Sequence, residues 1–435
     1  MTWTHQAAHS LTETLSRSSD TEGVVFAAAA LDRTETVTAV APTAIAADRR
    51  FEIGSVTKTM TATLLALLAG DGLLHLDDEI GRWLSAGPNG AITLRRLATH
   101  TSGLPATAPN LRIGQGDPRD PWAGYSFERA EEGLRQATVT PGNPWRYSNL
   151  GYQLLGLILQ RASGHDYPAL ITERLLTPLA MTRSGVGQRG AGTLLSGHAD
   201  GHEVPPWEQP LGAGGVEATI EDLARYAHAC LFPPPTALGA SITLAQTPVL
   251  PVDGGAGQAL AWIVRPDGVR EHSGGTGGFS ACVSIDHTRE RAVAILVSNQ
   301  GSPAYSAHLK QAAHLALAGE DPRQADTPRP RPSWRDDAHA VARAFLDGHI
   351  SQVHARLAAQ ARAKITPEQL ERAWTNKIQP AGPAGDVTIV HHETAASGAV
   401  VADLTIQFAT KPQRMRLVIL PSGELGGLAL LPIPA

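Results

Sequence analysis

The stretch "FEIGSVTKTM", Phe51 to Met60, decides how this chain is read. Gly54 precedes a serine, Ser55, and a lysine, Lys58, follows three residues later. Met60, Leu64, Leu67 and Leu68 recur at helical spacing, which predicts a buried helix starting near Ser55. Residues three apart share a helix face, so Lys58 reaches the Ser55 hydroxyl. A serine in the first turn also lies in the field of unpaired backbone N–H groups, which favours developing negative charge. Serine, two residues, lysine is common by chance, so a capping serine beside a solvent-facing lysine competes with the reactive pair.

The flanks are those of a mixed fold. "GVVFAAAAL" (23–31) and "TETVTAVA" (34–41) read as adjacent strands split by a turn at Asp32–Arg33. From about Asp77 to Leu244 the pattern is mostly helical with long loops, and Thr219 with Asp222 forms the signature of a capping box before "IEDLARYAHA". Short β-rich runs return as "ALAWIV", "VREHS", "FSACVSI" and "RAVAILVS" (259–298). Strands at both ends with helices between them imply one α/β domain whose sheet is closed by its two termini.

A Pro- and Arg-rich stretch, "GEDPRQADTPRPRPSW" (319–334), reads as a linker. Beyond it, helical "DDAHAVARAFLDG" and a capped start at Thr366-Pro367-Glu368-Gln369 precede alternating strand residues Leu404, Ile406 and Phe408, then "MRLVIL". The expected organisation is residues 1–318 as a first domain, 319–333 as the linker and 334–435 as a small α+β domain.

Composition narrows the function classes. The chain has 435 residues, 42% hydrophobic and 18% charged, as in a globular protein with a large core. A net charge of −5 argues against nucleic acid or an anionic membrane surface as partner. Two cysteines, Cys230 and Cys282, make no disulfide framework and favour a reducing compartment. The first twenty residues lack the basic and apolar regions of a signal peptide, so a cytoplasmic location is expected. The histidines lack zinc-site spacing and "GGTGG" lacks a lysine, so neither a metal nor another cofactor is expected.

Two further motifs raise the reactive reading. "PWRYSNLGYQLLG" carries Tyr147, Ser148 and Asn149 ahead of a helical run, and "EHSGGTGGFS" carries His272, Ser273 and Gly274 at a strand. Singly, each has an ordinary explanation as a turn, a close backbone approach or a hydrogen-bonding histidine. In the order Ser55-x-x-Lys58, Tyr147-x-Asn149, His272-Ser273-Gly274, the chain resembles the serine β-lactamase and penicillin-binding-protein superfamily. Within it the chain is similar to the class C branch, which holds β-lactamases, D-Ala-D-Ala carboxypeptidases, D-aminopeptidases and family VIII esterases. "ITLRRLATHTSGLP" (92–105) and "AGGVEATIEDLARY" (213–226) extend the resemblance over roughly residues 8 to 315.

The resemblance implies a β-lactamase-like antiparallel sheet flanked by helices, with a helical subdomain. It implies a serine hydrolase or acyltransferase that works through an acyl-enzyme on a small-molecule or peptide substrate. Ser55 is then the nucleophile, and Lys58 with Tyr147 supplies the base, since a serine hydroxyl needs one. Either Lys58 is neutral or Tyr147 is a phenolate beside an ammonium; both groups titrate as a pair. Tyr147 protonates the leaving group, and Asn149 orients Lys58. The backbone amides of Ser55 and Gly275 stabilise the oxyanion, with Ser273 and Gly274 lining the substrate.

His272 stands where the β-lactamases of this branch carry lysine. A histidine is neutral for much of the time near pH 7 and holds a carboxylate less well. That favours esters, amides and D-residue peptides over β-lactams. A thioesterase or cyclase releasing a nonribosomal peptide, a true β-lactamase and a catalytically silent ligand-binding relative are the competing readings. The region from Trp334 onward resembles small cone-shaped domains of the nuclear transport factor 2 type, which leaves a carrier protein or a second copy of the chain as further partners. Arg414 and Arg416 there face either an acidic group or solvent.

Overall fold

The computed structural model describes residues 2–431, apart from 18–22, 44, 46–47, 112–119, 143–144, 188–193, 200–201, 209, 252–255, 301–302, 326–333, 363, 395–398, 410 and 421. Most of the linker anticipated at 319–333 therefore lies outside the described residues. The chain divides into two compact units, residues 1–301 with 309–325 and residues 302–308 with 326–435.

The first unit is built on an eight-stranded sheet. From one edge its longer strands run Thr36–Ala41, Phe26–Leu31, Arg291–Val297, Ser280–Asp286 and Arg270–Gly275 in spatial order, all antiparallel. N-terminal strands thus pair with strands from near residue 300, the closure expected from the sequence. Every residue of Phe26–Leu31 is buried, which explains a run of four alanines with no polar alternation. Helix Trp3–Ser16 packs on this strand and on Thr36–Ala41, while helix Ile220–Leu231 packs on it and on Arg291–Val297. A strand covered on both faces has no use for alternation.

"ALAWIV" is not one strand. Ala261 takes φ +68, and the run splits into a turn and a two-residue strand, Ile263–Val264, that pairs with Gly257–Gln258. The capping box at Thr219 is half made: its hydroxyl accepts the Asp222 N–H. The Asp222 carboxylate instead accepts from the Arg183 N–H and the Ser184 hydroxyl.

The Ser55 segment opens as a tight 3-10 turn, Gly54–Val56, and continues as helix Thr57–Gly70. Residues Thr57 to Leu68 are all buried, so this helix has no solvent face to mark with charge. Two of its threonines donate to the turn before them, Thr59 to the Val56 carbonyl at 2.7 Å and Thr63 to the Thr59 carbonyl at 3.0 Å, while Thr57 accepts the Val216 N–H and Thr61 reaches the Gly212 carbonyl. A lysine on such a helix is carried into the centre of the unit.

The second unit has helices Trp334–Leu346, Ile350–Ala355 and Pro367–Ala373 ahead of a four-stranded antiparallel meander ending at Leu431. The Thr366 capping box is complete, and Leu404, Ile406, Met415 and Leu417 face one buried core with Trp334, Val341 and Phe345. Arg414 and Arg416 keep part of their side chains in solvent while both reach an acidic group within their own sheet. Arg416 grips the buried Asp403 of the neighbouring strand at 2.6 and 2.8 Å, with Arg414 3.5 Å from the same carboxylate. Among the described residues, no helix is long and apolar enough to cross a membrane.

Candidate active site

Three separate stretches converge on Lys58. Its Nζ lies 2.8 Å from Ser55 Oγ, 2.8 Å from Asn149 Oδ1 and 2.7 Å from the Ala213 carbonyl. Asn149 opens helix Asn149–Ser163, whose cap is Ser148: the Ser148 hydroxyl accepts the Gly151 N–H and donates to the Pro105 carbonyl. The cap therefore aims Asn149 inward from a fixed helix end. Ala213 is not legible as a site residue in the sequence, because a backbone carbonyl carries no side-chain signature.

Lys58 is fully buried, and burial holds its pKa well below the ordinary lysine range. A neutral amine has two N–H bonds and one lone pair. With Asn149 Oδ1 and the Ala213 carbonyl taking the two N–H bonds, the lone pair is left for the Ser55 hydroxyl hydrogen. Tyr147 is pushed the other way: burial raises its pKa above the ordinary phenol, opposed by a hydrogen bond with Ser55. The Tyr147 ring lies 5.0 Å from Nζ. Of the two protonation schemes open in the sequence, burial favours neutral lysine with neutral tyrosine over an ammonium with a phenolate.

Strand Arg270–Gly275 runs against the Ser55 turn so closely that only glycine fits. A Cβ on Gly274 would fall 2.0 Å from the Ile53 carbonyl oxygen and 3.0 Å from the Ser55 nitrogen, and one on Gly54, at φ +49, would fall 2.8 Å from the Gly275 nitrogen. This packing brings the backbone of Gly274–Gly275 against that of Ile53–Ser55. Ser273 pairs with Cys282 in the sheet and is half-buried.

His272 is buried, with its ring centroid 6.5 Å from that of Tyr147. Burial first, and Lys58 in its ammonium form second, lower its pKa to about 3. Its Nδ1 lies 2.7 Å from the Ser273 carbonyl oxygen, which can only accept, so Nδ1 carries the hydrogen. Nε2 then presents a lone pair. Such a histidine accepts hydrogen bonds and offers nothing to a carboxylate.

Among the described residues no cluster of three or more His, Cys, Asp or Glu has metal-binding geometry. The arrangement as a whole places a hydroxyl on a buried amine of lowered pKa, with a phenol beside both.

A Beta-lactamase family model matches residues 10–318. Penicillin-binding protein 4* of Bacillus subtilis (strain 168) is 26% identical over 381 residues, 75% of this chain and 81% of that protein. The D-alanyl-D-alanine-carboxypeptidase/endopeptidase AmpH of Escherichia coli (strain K12) is 32% identical over 199 residues, 41% of this chain, and the match spans 48% of that protein. Among solved structures, the octameric penicillin-binding protein homologue from Pyrococcus abyssi superposes with TM-score 0.63 at 18% identity, over 95% of this chain and 90% of that one. The class C beta lactamase from Rhodobacter sphaeroides gives TM-score 0.61 at 20% identity, over 72% and 98%. At these identities the structural likeness is one of fold.

Proposed function

Because the chain belongs to the Beta-lactamase family and is with it a serine hydrolase, we propose that it acts through an acyl-enzyme on Ser55, in the cytoplasm, on small esters, amides or D-residue peptides. The observation that carries this reading is the 2.8 Å contact of Ser55 Oγ with Lys58, a buried lysine whose pKa burial holds well below its ordinary range. As the Ser55 oxygen bonds to the substrate carbonyl carbon, its proton passes to Lys58 Nζ. The carbonyl oxygen becomes an oxyanion facing the Ser55 and Gly275 amides. When the tetrahedral species collapses, Tyr147 gives its proton to the departing oxygen or nitrogen and takes the one held by Lys58. Water or an amine then enters by the same steps in reverse and frees Ser55.

The substrate class rests on His272. A neutral ring with its lone pair forward disfavours a free carboxylate beside the leaving group, the feature that a fixed lysine charge would hold. The name of the Escherichia coli relative, a D-alanyl-D-alanine-carboxypeptidase, supports D-residue peptides as one class within reach. Cys230 and Cys282 are both buried and unbridged, which supports a reducing compartment; recovery of the protein outside the cytoplasmic fraction would overturn that location.

Intact-mass spectrometry tests the nucleophile. Wild type treated with a chromogenic ester or a fluorescent penicillin should carry one covalent adduct, and Ser55→Ala none. An undiminished adduct on the variant refutes the assignment.

A further inference from the structure

We infer that His100 is the positioning residue for Tyr147: one histidine holds the backbone on both sides of the tyrosine and its ring from the face. The Arg146 N–H donates to the His100 carbonyl at 2.7 Å, and the Ser148 N–H donates to His100 Nδ1 at 3.1 Å. Between these two anchors lies Tyr147. The His100 ring sits 4.5 Å from the Tyr147 ring, tilted by 33°, and on its other neighbours lies 5.2 Å from Tyr152 and 6.2 Å from Trp145. Tyr152 is itself fixed, its hydroxyl donating to the Ala98 carbonyl at 2.7 Å.

The backbone at His100 is an independent argument. Helix Leu94–Ala98 ends with the Thr101 N–H on the Arg96 carbonyl and the His100 N–H on the Leu97 carbonyl. That is the Schellman ending, and His100 occupies its left-handed position at φ +58. Glycine or asparagine is usual there, because a larger side chain is strained. A buried histidine in that place gives up the easier turn and supplies a side-chain acceptor that glycine lacks.

The bond from the Ser148 amide also fixes the tautomer. Nδ1 accepts, so the hydrogen is on Nε2, which has no partner among the described residues. Burial, with lesser contributions from Lys58 and His272, holds the ring's pKa well below the ordinary histidine range, so the acceptor at Nδ1 persists at working pH. His100 touches no reacting atom in this scheme. It determines where the Tyr147 hydroxyl stands relative to Ser55 and Lys58, and a displacement of about 1 Å in such a group costs up to about a hundredfold in rate.

The inference rests on the proton-transfer role given to Tyr147, and the test separates the two. His100→Gly relaxes the left-handed turn and removes the acceptor; His100→Asn also tolerates the turn but keeps an acceptor, Oδ1, near the place of Nδ1. Both lose the stacked ring, so the acceptor is what distinguishes them. With a chromogenic ester, His100→Gly should lose at least about tenfold in kcat with KM changed by less than about threefold, and His100→Asn should recover to within about threefold of wild type. A His100→Gly enzyme with wild-type kcat, or a His100→Asn enzyme no faster than His100→Gly, overturns the inference. If His100→Gly does not fold, a His100→Asn enzyme more than about tenfold slower than wild type overturns it alone. Full activity in Tyr147→Phe would instead sink the role of Tyr147 itself.

Discussion

Replacing His272 by glutamine should flatten the acid side of the stability profile. The native ring titrates at about 3 and an unfolded histidine at 6.5. Between those values the unfolded chain holds a proton that the native protein does not. Stability therefore falls as pH falls through this window, by about 1.4 kcal/mol per pH unit, and is untouched above 6.5. From pH 6.5 to 5 the loss is about 2 kcal/mol, and by pH 3 it approaches about 5 kcal/mol. His272→Gln has no such proton, and its amide can still donate to the Ser273 carbonyl. Urea unfolding of both proteins at pH 7, 6 and 5 measures the difference directly. The carboxylates are common to both, and His100 changes only by the smallest of the causes that shift it, His272. The wild type should lose roughly 2 kcal/mol more than the variant between pH 7 and 5. Parallel profiles would mean that the ring is already solvated, or charged, in the native state, and the argument for a neutral acceptor would fail with it.

Three other outcomes follow from the site. Lys58→Ala and Tyr147→Phe should each lower kcat by orders of magnitude, and the double variant by little more, because one proton passes through both groups; additive losses in steady-state kinetics would assign them to separate steps. Gly274→Ala places a methyl group 2.0 Å from a backbone oxygen, so the strand must move off the Ser55 turn. Thermal unfolding should show a loss of about 1–3 kcal/mol and acyl-enzyme formation should nearly cease; retention of both would mean that the oxyanion amides are not where the packing puts them. His272→Lys should favour an ester bearing a carboxylate over its neutral analogue by on the order of 1 kcal/mol, and equal effects on the pair would make His272 structural.

Local spacing alone determined the parts that a helix or a strand makes by itself. Ser55 and Lys58 share a face because they are three apart, Thr366 caps because Gln369 follows at the third position, and Leu404, Ile406 and Phe408 share a face because strands alternate. The order of three motifs was enough to indicate the family. What the sequence could not hold was the environment of each group. Lys58 has its pKa lowered by burial, its two carbonyl acceptors lie 91 and 155 residues away, and the same burial turns the Tyr147 phenol away from ionising. The Ser55 helix carries no charged face because it is covered on every side, and amphipathicity appears only where one face meets water. "ALAWIV" broke at Ala261 because a left-handed residue can be imposed by tertiary packing against propensity. Arg414 and Arg416 looked available in one dimension, and the pairing of two strands gave both to Asp403. His100 stood in plain view inside "ATHTSGLP", but its tie to Tyr147 is a matter of two hydrogen bonds and a ring contact across nearly fifty residues, which only the folded chain brings together.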